Sequence, residues 1–326
     1  MKKVLIINRL GIGDVVLTTP LAQMIKEQLG ARVGFVVATK ALDILKHHPY
    51  IDDVFGYRHP TKQVMLEQIR SSGYDEALIV DGRFSSTLLA LKAGSKPLNW
   101  GFGISIGKWR LFSSKRFAEK AVDDYSSYIK YIQPSKRINH YRPTIGIIDQ
   151  ASRNKIDAWM QEHDFLHNKL VLVVARGLSD NKNWLPEYFS ELNDYLNTMK
   201  IVPVYLGSEQ DTSYIENISG KKINAAGYFS LREVAVVAKQ ADLCISMCSG
   251  AMHIISTSSA PILALYGPTS PKRWAPAGAC VLKAQLSCVP CERLYCTHTV
   301  YKQCMRLITP QNVIENIEAH EWLNNS

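Results

Sequence analysis

The chain has 326 residues, 46% of them apolar, with a net charge of +9. That length sets a prior of two domains with a core each. No apolar run approaches the roughly 18 residues of a membrane span, and Lys2-Lys3 precede too short an apolar run for a signal peptide, so a cytoplasmic protein is expected.

The N-terminal half alternates strand and helix patterns. "KVLIIN" (3–8) reads as a strand. Leu17, Leu21, Met24, Ile25 and Leu29 then recur at helical spacing up to Gly30, with Pro20 a candidate kink. "RVGFVVAT" and "EALIVD" are the next strands. The stretch "INHYRPTIGIIDQASRNK" has few periodic apolar residues and reads as an interdomain connection. The pattern then restarts. "KLVLVVA", "IVPVYLG", "LCIS" and "PILALYG" are strands. They alternate with the helices "PEYFSELNDYLNTM", "SLREVAVVAKQA" and "GAMHIISTSS", and "TPQNVIENIEAHEWL" closes the chain with Thr309 as N-cap. Two alternating α/β units in series are expected, 1–166 and 167–326, each with a mostly parallel sheet. Ligands of such sheets bind beyond the carboxyl ends of the strands, so two facing units would hold the site in the cleft between them.

The first strand-to-helix turn, "NRLGIGDVV", carries Gly11 and Gly13 but has Val16 where a dinucleotide fingerprint needs its third glycine. The acid expected at the end of the second strand is also missing, which argues against a nicotinamide enzyme. Gly11 and Gly13 still permit a tight turn and close approach of a substrate. By itself, Asp14 reads as a helix N-cap.

Three polar sites follow consecutive strands of the second half. "ARGLSDNKNWLPE" places Lys182 before a helix, "YLGSEQD" places Glu209 after a strand, and "SMCSGAMH" places Ser249 and Gly250 at a helix start. A helix N-terminus favours phosphate, a lysine would neutralise it, and an acid accepts hydrogen bonds from ribose hydroxyls. Together they point to a nucleoside diphosphate. There is no Walker motif.

These stretches, with "YDEALIVDGRFSSTLLALKAGSKPLNWGF", "GAMHIISTSSAPILALYGPTSPKRWAP" and "CMRLITPQNV", resemble glycosyltransferase family 9, the heptosyltransferases of the lipopolysaccharide core, over almost the whole chain. The resemblance implies a GT-B fold: two Rossmann-like doubly wound parallel-sheet domains facing across a cleft. It also implies an ADP-sugar donor such as ADP-heptose, an inverting transfer to an anionic glycolipid acceptor, and no metal in catalysis. Asp14 then corresponds to the base for the acceptor hydroxyl, and Lys182 to the lysine at the donor phosphates. Glu209 matches the ribose-binding acid, and Gly250 and His253 match the turn and helix beneath the donor, His253 also reading as a packed helix residue. Cys248 and Ser249 fall in the same turn. With these go Gly177 on the donor side and Gly11, Gly13 and Asp81 on the acceptor side.

One departure stands out. The family has Asp-Ser/Thr-Gly where this chain has Cys248-Ser249-Gly250. A thiol does not replace a carboxylate as a hydroxyl acceptor. The donor sugar therefore stays open, with Ser246 and Ser249 as polar candidates to compensate. A different nucleotide-sugar donor, or a non-catalytic sugar-nucleotide-binding or assembly protein, are the alternatives.

Four of the seven cysteines, Cys288, Cys291, Cys296 and Cys304, crowd into "CVPCERLYCTHTVYKQC". Four thiolates suit a structural zinc or iron, with His298 as an alternative ligand; reduced thiols packing a loop are the other reading. The positive charge suits a nucleotide, an anionic glycolipid or the inner membrane face, and the basic, aromatic stretch "GKWRLFSSKRF" (107–117) could lie at headgroups as a peripheral contact. No nucleic-acid motif is present, so no nucleic-acid partner is expected.

Overall fold

The computed structural model describes residues 1–106, 109–111 and 117–324, with 104–106 and 109–111 as backbone only. Apart from Phe117, the side chains of the 107–117 stretch therefore lie outside the described residues. The chain forms two compact units, Met1–Ile147 and Ile148–Ser326.

Unit 1 runs β1 (Lys3–Ile7), α1 (Ile12–Leu29), β2 (Arg32–Val37), α2 (Leu42–Leu45), β3 (Asp53–Gly56), α3 (Lys62–Ser72), β4 (Glu76–Ile79), α4 (Phe84–Lys92) and β5 (Lys96–Pro97). A small antiparallel pair, β6 (Ile104–Ile106) and β7 (Trp109–Leu111), and two short helices, α5 (Ala121–Ser126) and α6 (Ile129–Ile132), follow. The main sheet has the order β3-β2-β1-β4-β5, with every pairing parallel. Val4 to Ile7 are fully buried, because a parallel strand at the centre of a sheet is covered on both faces. Helix α1 runs through Pro20. Proline leaves the carbonyl four residues back, that of Val16, without an amide donor, and the Thr19 hydroxyl donates to it at 2.8 Å. Gly30 ends the helix in the left-handed conformation (φ 57°).

Unit 2 runs α7 (Gln150–Glu162), β8 (Val171–Val174), α8 (Pro186–Thr198), β9 (Val204–Leu206), α9 (Thr212–Glu216), β10 (Ile223–Asn224), α10 (Leu231–Ala238), β11 (Leu243–Met247), α11 (Gly250–Ile255), β12 (Ile262–Tyr266), α12 (Pro271–Trp274), β13 (Cys280–Lys283), α13 (Gln303–Arg306) and α14 (Pro310–Ala319). Its sheet is parallel in the order β10-β9-β8-β11-β12-β13. Counted within the unit this is 3-2-1-4-5-6, the strand order of a doubly wound nucleotide-binding sheet.

The unit boundary differs from the expected 166/167. Residues 150–162, read from sequence partly as the connection and wholly within 1–166, form helix α7 of the second unit. Its buried face, with Ile156, Trp159 and Met160, is covered there. Trp159 meets the Phe229 ring edge-on at 5.0 Å, and Lys155 Nζ lies 2.9 Å from Glu233 on α10. Those partners lie some seventy residues away in sequence, beyond the reach of any local pattern. The sequence pattern does not show β3, β5, β10 and β13, the outermost strands of the two sheets, at two to four residues each.

Candidate functional site

In a doubly wound sheet the connections leave in opposite directions from one pair of neighbouring strands, opening a crevice at their carboxyl ends. In unit 1 that pair is β1 and β4. The turn after β1 and the first turn of α1 carry Gly11, Gly13 and Asp14 on one side, and the loop after β4 carries Asp81 on the other.

Gly11 is the N-cap of α1, so Asp14 sits one turn inside it, at the third helical position, and the N-cap reading of Asp14 is corrected. Its Oδ2 accepts the Gly11 amide at 3.1 Å, and its Oδ1 accepts the Tyr125 hydroxyl at 2.5 Å. A carboxylate in the first turn of a helix is stabilised by the exposed amides and the macrodipole. A Cβ at Gly11 would stand 3.2 Å from Oδ2, a tight approach that would press the carboxylate by a few tenths of an ångström.

Asp81 is 3% exposed. Its Oδ2 accepts from Arg9 Nε at 3.1 Å and from the Ser86 hydroxyl at 2.7 Å, and its Oδ1 from the Arg83 amide at 3.1 Å. Arg9 also donates to Ser86 and Ser85 and stacks on Tyr57, its Cζ 4.1 Å from the ring centroid. Asp81 therefore acts on its surroundings by holding Arg9. Sequence reasoning missed Arg9 and Tyr125. Arg9 lies in the first strand-to-helix turn, and only the adjacency of β1 and β4 reveals its partner. Tyr125 lies on a short helix with no periodic signal.

In unit 2 the switch-point strands are β8 and β11, and the loops after them bring Gly177, Lys182, Cys248, Ser249, Gly250 and His253 together. A Cβ at Gly177 would lie 3.7 Å from the Cys248 carbonyl oxygen and 3.8 Å from Ser249 Cβ. The Gly177 amide donates to Asn183 Oδ1 at 2.7 Å, closing a loop around the 3-10 turn Asp180–Lys182. Trp184, fully buried, anchors the far side by donating Nε1–H to the Ile308 carbonyl at 2.6 Å. The half-buried Lys182 ammonium acts on both Cys248 and His253. Burial pushes the Cys248 thiol up, against the opposing pull of Lys182 and of hydrogen bonds with Thr269 and Tyr266. Burial, aided by the Lys182 charge, lowers His253 to about 4, and its Nδ1 is buried without a hydrogen-bond partner. The His253 imidazole is thus neutral and keeps hydrogen-bonding capacity at Nδ1 that no protein group uses.

Both candidate serines make local hydrogen bonds. Ser246 is fully buried and its hydroxyl donates to the Met247 carbonyl at 2.9 Å. Ser249 is the N-cap of α11, accepting the Met252 amide at 3.2 Å. Glu209 is exposed beyond β9, the strand next to β8, beside the left-handed Gly227.

Cys288, Cys291, Cys296 and Cys304 line one cavity of about 330 Å³ with His298 and Asn181. Gly267 makes room for this segment at the end of β12, since a Cβ there would collide with Met305 Sδ and fall 3.1 Å from Cys304 Sγ. Burial, reinforced by the other three cysteines, pushes the Cys304 thiol up to about 11. Among the described residues, no three His, Cys, Asp or Glu side chains are drawn into metal-binding geometry. The thiol set itself is one that zinc or iron would take, and the buried Asn181 Oδ1 lacks a hydrogen-bond partner.

Two doubly wound units, each gathering polar residues at its switch point, are the architecture of a GT-B glycosyltransferase. The chain belongs to glycosyltransferase family 9 (heptosyltransferase), whose profile matches residues 64–305, and it is a glycosyltransferase enzyme. It is similar to the lipopolysaccharide core heptosyltransferase OpsX of Haemophilus influenzae, 23% identical over 294 residues that cover 84% of this chain and 82% of OpsX. Its fold is similar to that of a family 9 glycosyltransferase from Veillonella parvula, with a TM-score of 0.80 at 20% identity over 100% of this chain and 98% of the other. It is also similar to E. coli ADP-heptose lipopolysaccharide heptosyltransferase II, with a TM-score of 0.75 at 18% identity over 98% of each chain.

Proposed function

We propose that this enzyme transfers heptose, or a related sugar, from an ADP-sugar to an anionic lipopolysaccharide core acceptor with inversion at the anomeric carbon. The observation that carries this reading is the group at the β8/β11 switch point: Lys182 beside a buried, neutral His253 with an unpartnered Nδ1. In this reading unit 2 binds the donor and unit 1 the acceptor. Asp14 takes the proton of the acceptor hydroxyl as its oxygen attacks the anomeric carbon. The bond from that carbon to the diphosphate oxygen breaks, and ADP leaves with the electron pair. Lys182 stabilises the charge that grows on the diphosphate, and Glu209 holds the ribose. Gly177, Ser249, Gly250 and His253 bound the donor, while Gly11 and Gly13 let the acceptor approach and Asp81 fixes Arg9 beside it.

Cys248 favours a second reading of the donor alone. Ser246 donates to the Met247 carbonyl and Ser249 caps α11; neither hydroxyl replaces the missing carboxylate, so a sugar other than heptose fits the same mechanism. Calorimetric titration with ADP, ADP-heptose and UDP separates these readings. Selective ADP-heptose binding supports the first. Binding of ADP with rejection of ADP-heptose selects the second. No binding of any of them would overturn both.

The four cysteines are proposed to hold a structural zinc or iron, outside the chemistry of transfer. Metal analysis of the purified protein tests this, and a metal-free protein with unaltered stability would refute it. A peripheral position at the cytoplasmic face of the inner membrane accompanies the proposal. Among the described residues no helix is long and apolar enough to cross a membrane. Helix α4 does leave Phe84, Leu88 and Leu91 exposed, at helical spacing.

A further inference from the structure

The cysteine segment grips the loop that carries Lys182. Three consecutive residues of that loop are tied to it. The Ser179 hydroxyl donates to the Leu294 carbonyl at 2.9 Å, and Asn181 Nδ2 donates to the Arg293 carbonyl at 2.8 Å. Between them, the Asp180 carboxylate accepts from the Tyr301 hydroxyl at 2.8 Å and from Lys302 Nζ at 3.3 Å, and Lys302 Nζ also donates to the Asp180 carbonyl at 3.1 Å. Burial would raise the Asp180 carboxyl, but the Tyr301 hydrogen bond and the Lys302 charge hold it below the usual carboxylate range.

Lys302 is itself fixed from the cysteine side. It is 9% exposed and sits in the left-handed region (φ 57°), and its amide donates to Cys296 Sγ at 3.4 Å. A continuous path thus runs from the Cys296 thiol through Lys302 and Asp180 to the 3-10 turn, whose last residue is Lys182. The turn closes on itself through the Lys182 amide to the Ser179 carbonyl, 3.0 Å, and the Asn183 amide to the Asp180 carbonyl, 2.9 Å.

We infer that residues 293–302 of the cysteine segment form the positioning platform of Lys182, acting through Asp180. A lysine on an untethered loop must be ordered when the ligand arrives, which subtracts from affinity; a clamped turn has already met that cost. Lys302 has a second effect, because it neutralises a carboxylate two residues from the group that receives a diphosphate. Asp180, Tyr301 and Lys302 are positioning residues and touch no reacting atom. The inference rests on the reading of Lys182 as the phosphate contact.

The test is ADP titration of the full chain by calorimetry, with a double-mutant cycle. Lys182→Ala is the benchmark and should weaken ADP binding. Asp180→Ala should weaken it roughly tenfold, as expected for a charged hydrogen-bond network. Asp180→Asn, which keeps an acceptor for Tyr301 and Lys302, should recover most of that loss. In the Lys182→Ala background, Asp180→Ala should cost less than about twofold more, since a positioning residue has nothing left to position. Should Asp180→Ala fail to fold, Tyr301→Phe at the half-exposed end of the clamp should still weaken ADP roughly threefold. Full additivity of the two alanine variants, or unchanged ADP affinity in Asp180→Ala and Tyr301→Phe while Lys182→Ala is impaired, would overturn the inference alone. Unchanged affinity in Lys182→Ala would overturn the phosphate reading beneath it, and the inference with it.

Discussion

The two switch points are built on opposite electrostatic plans. In unit 1 the charges are matched inside the protein: Arg9 with Asp81, both side chains nearly inaccessible, and Asp14 with the Gly11 amide and Tyr125. In unit 2 they are left open. Lys182 has no carboxylate within salt-bridge distance among the described residues, and the buried His253 Nδ1 has no partner. The contrast fits the proposed roles. A base held at a fixed place before its substrate arrives has its surroundings completed in advance, and a phosphate site gains by leaving its cation unmatched, because the ligand brings the counter-charge.

Asp14→Asn strikes unit 1 hardest. Turnover should fall by about 10²–10⁴-fold while ADP affinity measured by calorimetry stays within twofold; unchanged turnover would remove Asp14 from the chemistry. On the other side of the comparison, Lys182→Ala should lower kcat/KM for the donor by roughly 10²–10³-fold with little change in melting temperature. A large loss of stability there would show that unit 2 was matched internally after all. Asp81→Ala should do the reverse, destabilising the fold by about 3–5 kcal/mol because the buried Arg9 loses its counter-ion. Chemical denaturation reads this directly, and a neutral effect would contradict the internal pairing.

A pH titration of stability sharpens the contrast within the buried histidines. Burial lowers His48 in unit 1 and His253 in unit 2 to about 4. The folded values lie below the unfolded value of about 6.5, so the unfolded chain binds more protons between the two. The stability these groups contribute is complete above about pH 6.5 and is lost as pH falls toward 4, by on the order of 3 kcal/mol for each. His48 is hydrogen-bonded on both ring nitrogens, to Thr144 and the Tyr50 amide, whereas His253 Nδ1 is unpartnered. Saturating ADP should therefore alter the acid limb in wild type but not in His253→Gln. The smallest effect is expected for Tyr125→Phe, a roughly tenfold loss of turnover through a less firmly held Asp14; a larger loss than that of Asp14→Asn would make Tyr125 the more important group.

Much of this molecule is written locally. The mostly apolar runs of β1, β8, β11 and β12, the Gly30 stop, Pro186 at the start of α8 and the Thr309 cap each follow from a few neighbouring residues, and those elements form as expected. So does the placement of Lys182 and Ser249 after strands, and with two alternating α/β runs the doubly wound class follows. What the sequence could not decide is everything that depends on which strand lies beside which. The β1/β4 adjacency pairs Arg9 with Asp81, α7 joins unit 2 through Trp159 and Lys155, and residues 293–302 clamp Asp180 from more than a hundred positions away. Local pattern follows from backbone geometry and side-chain propensity, which act over a few residues. Partnership between distant charges is set only when the sheet closes and buries them together, because only then does an unmatched charge become costly.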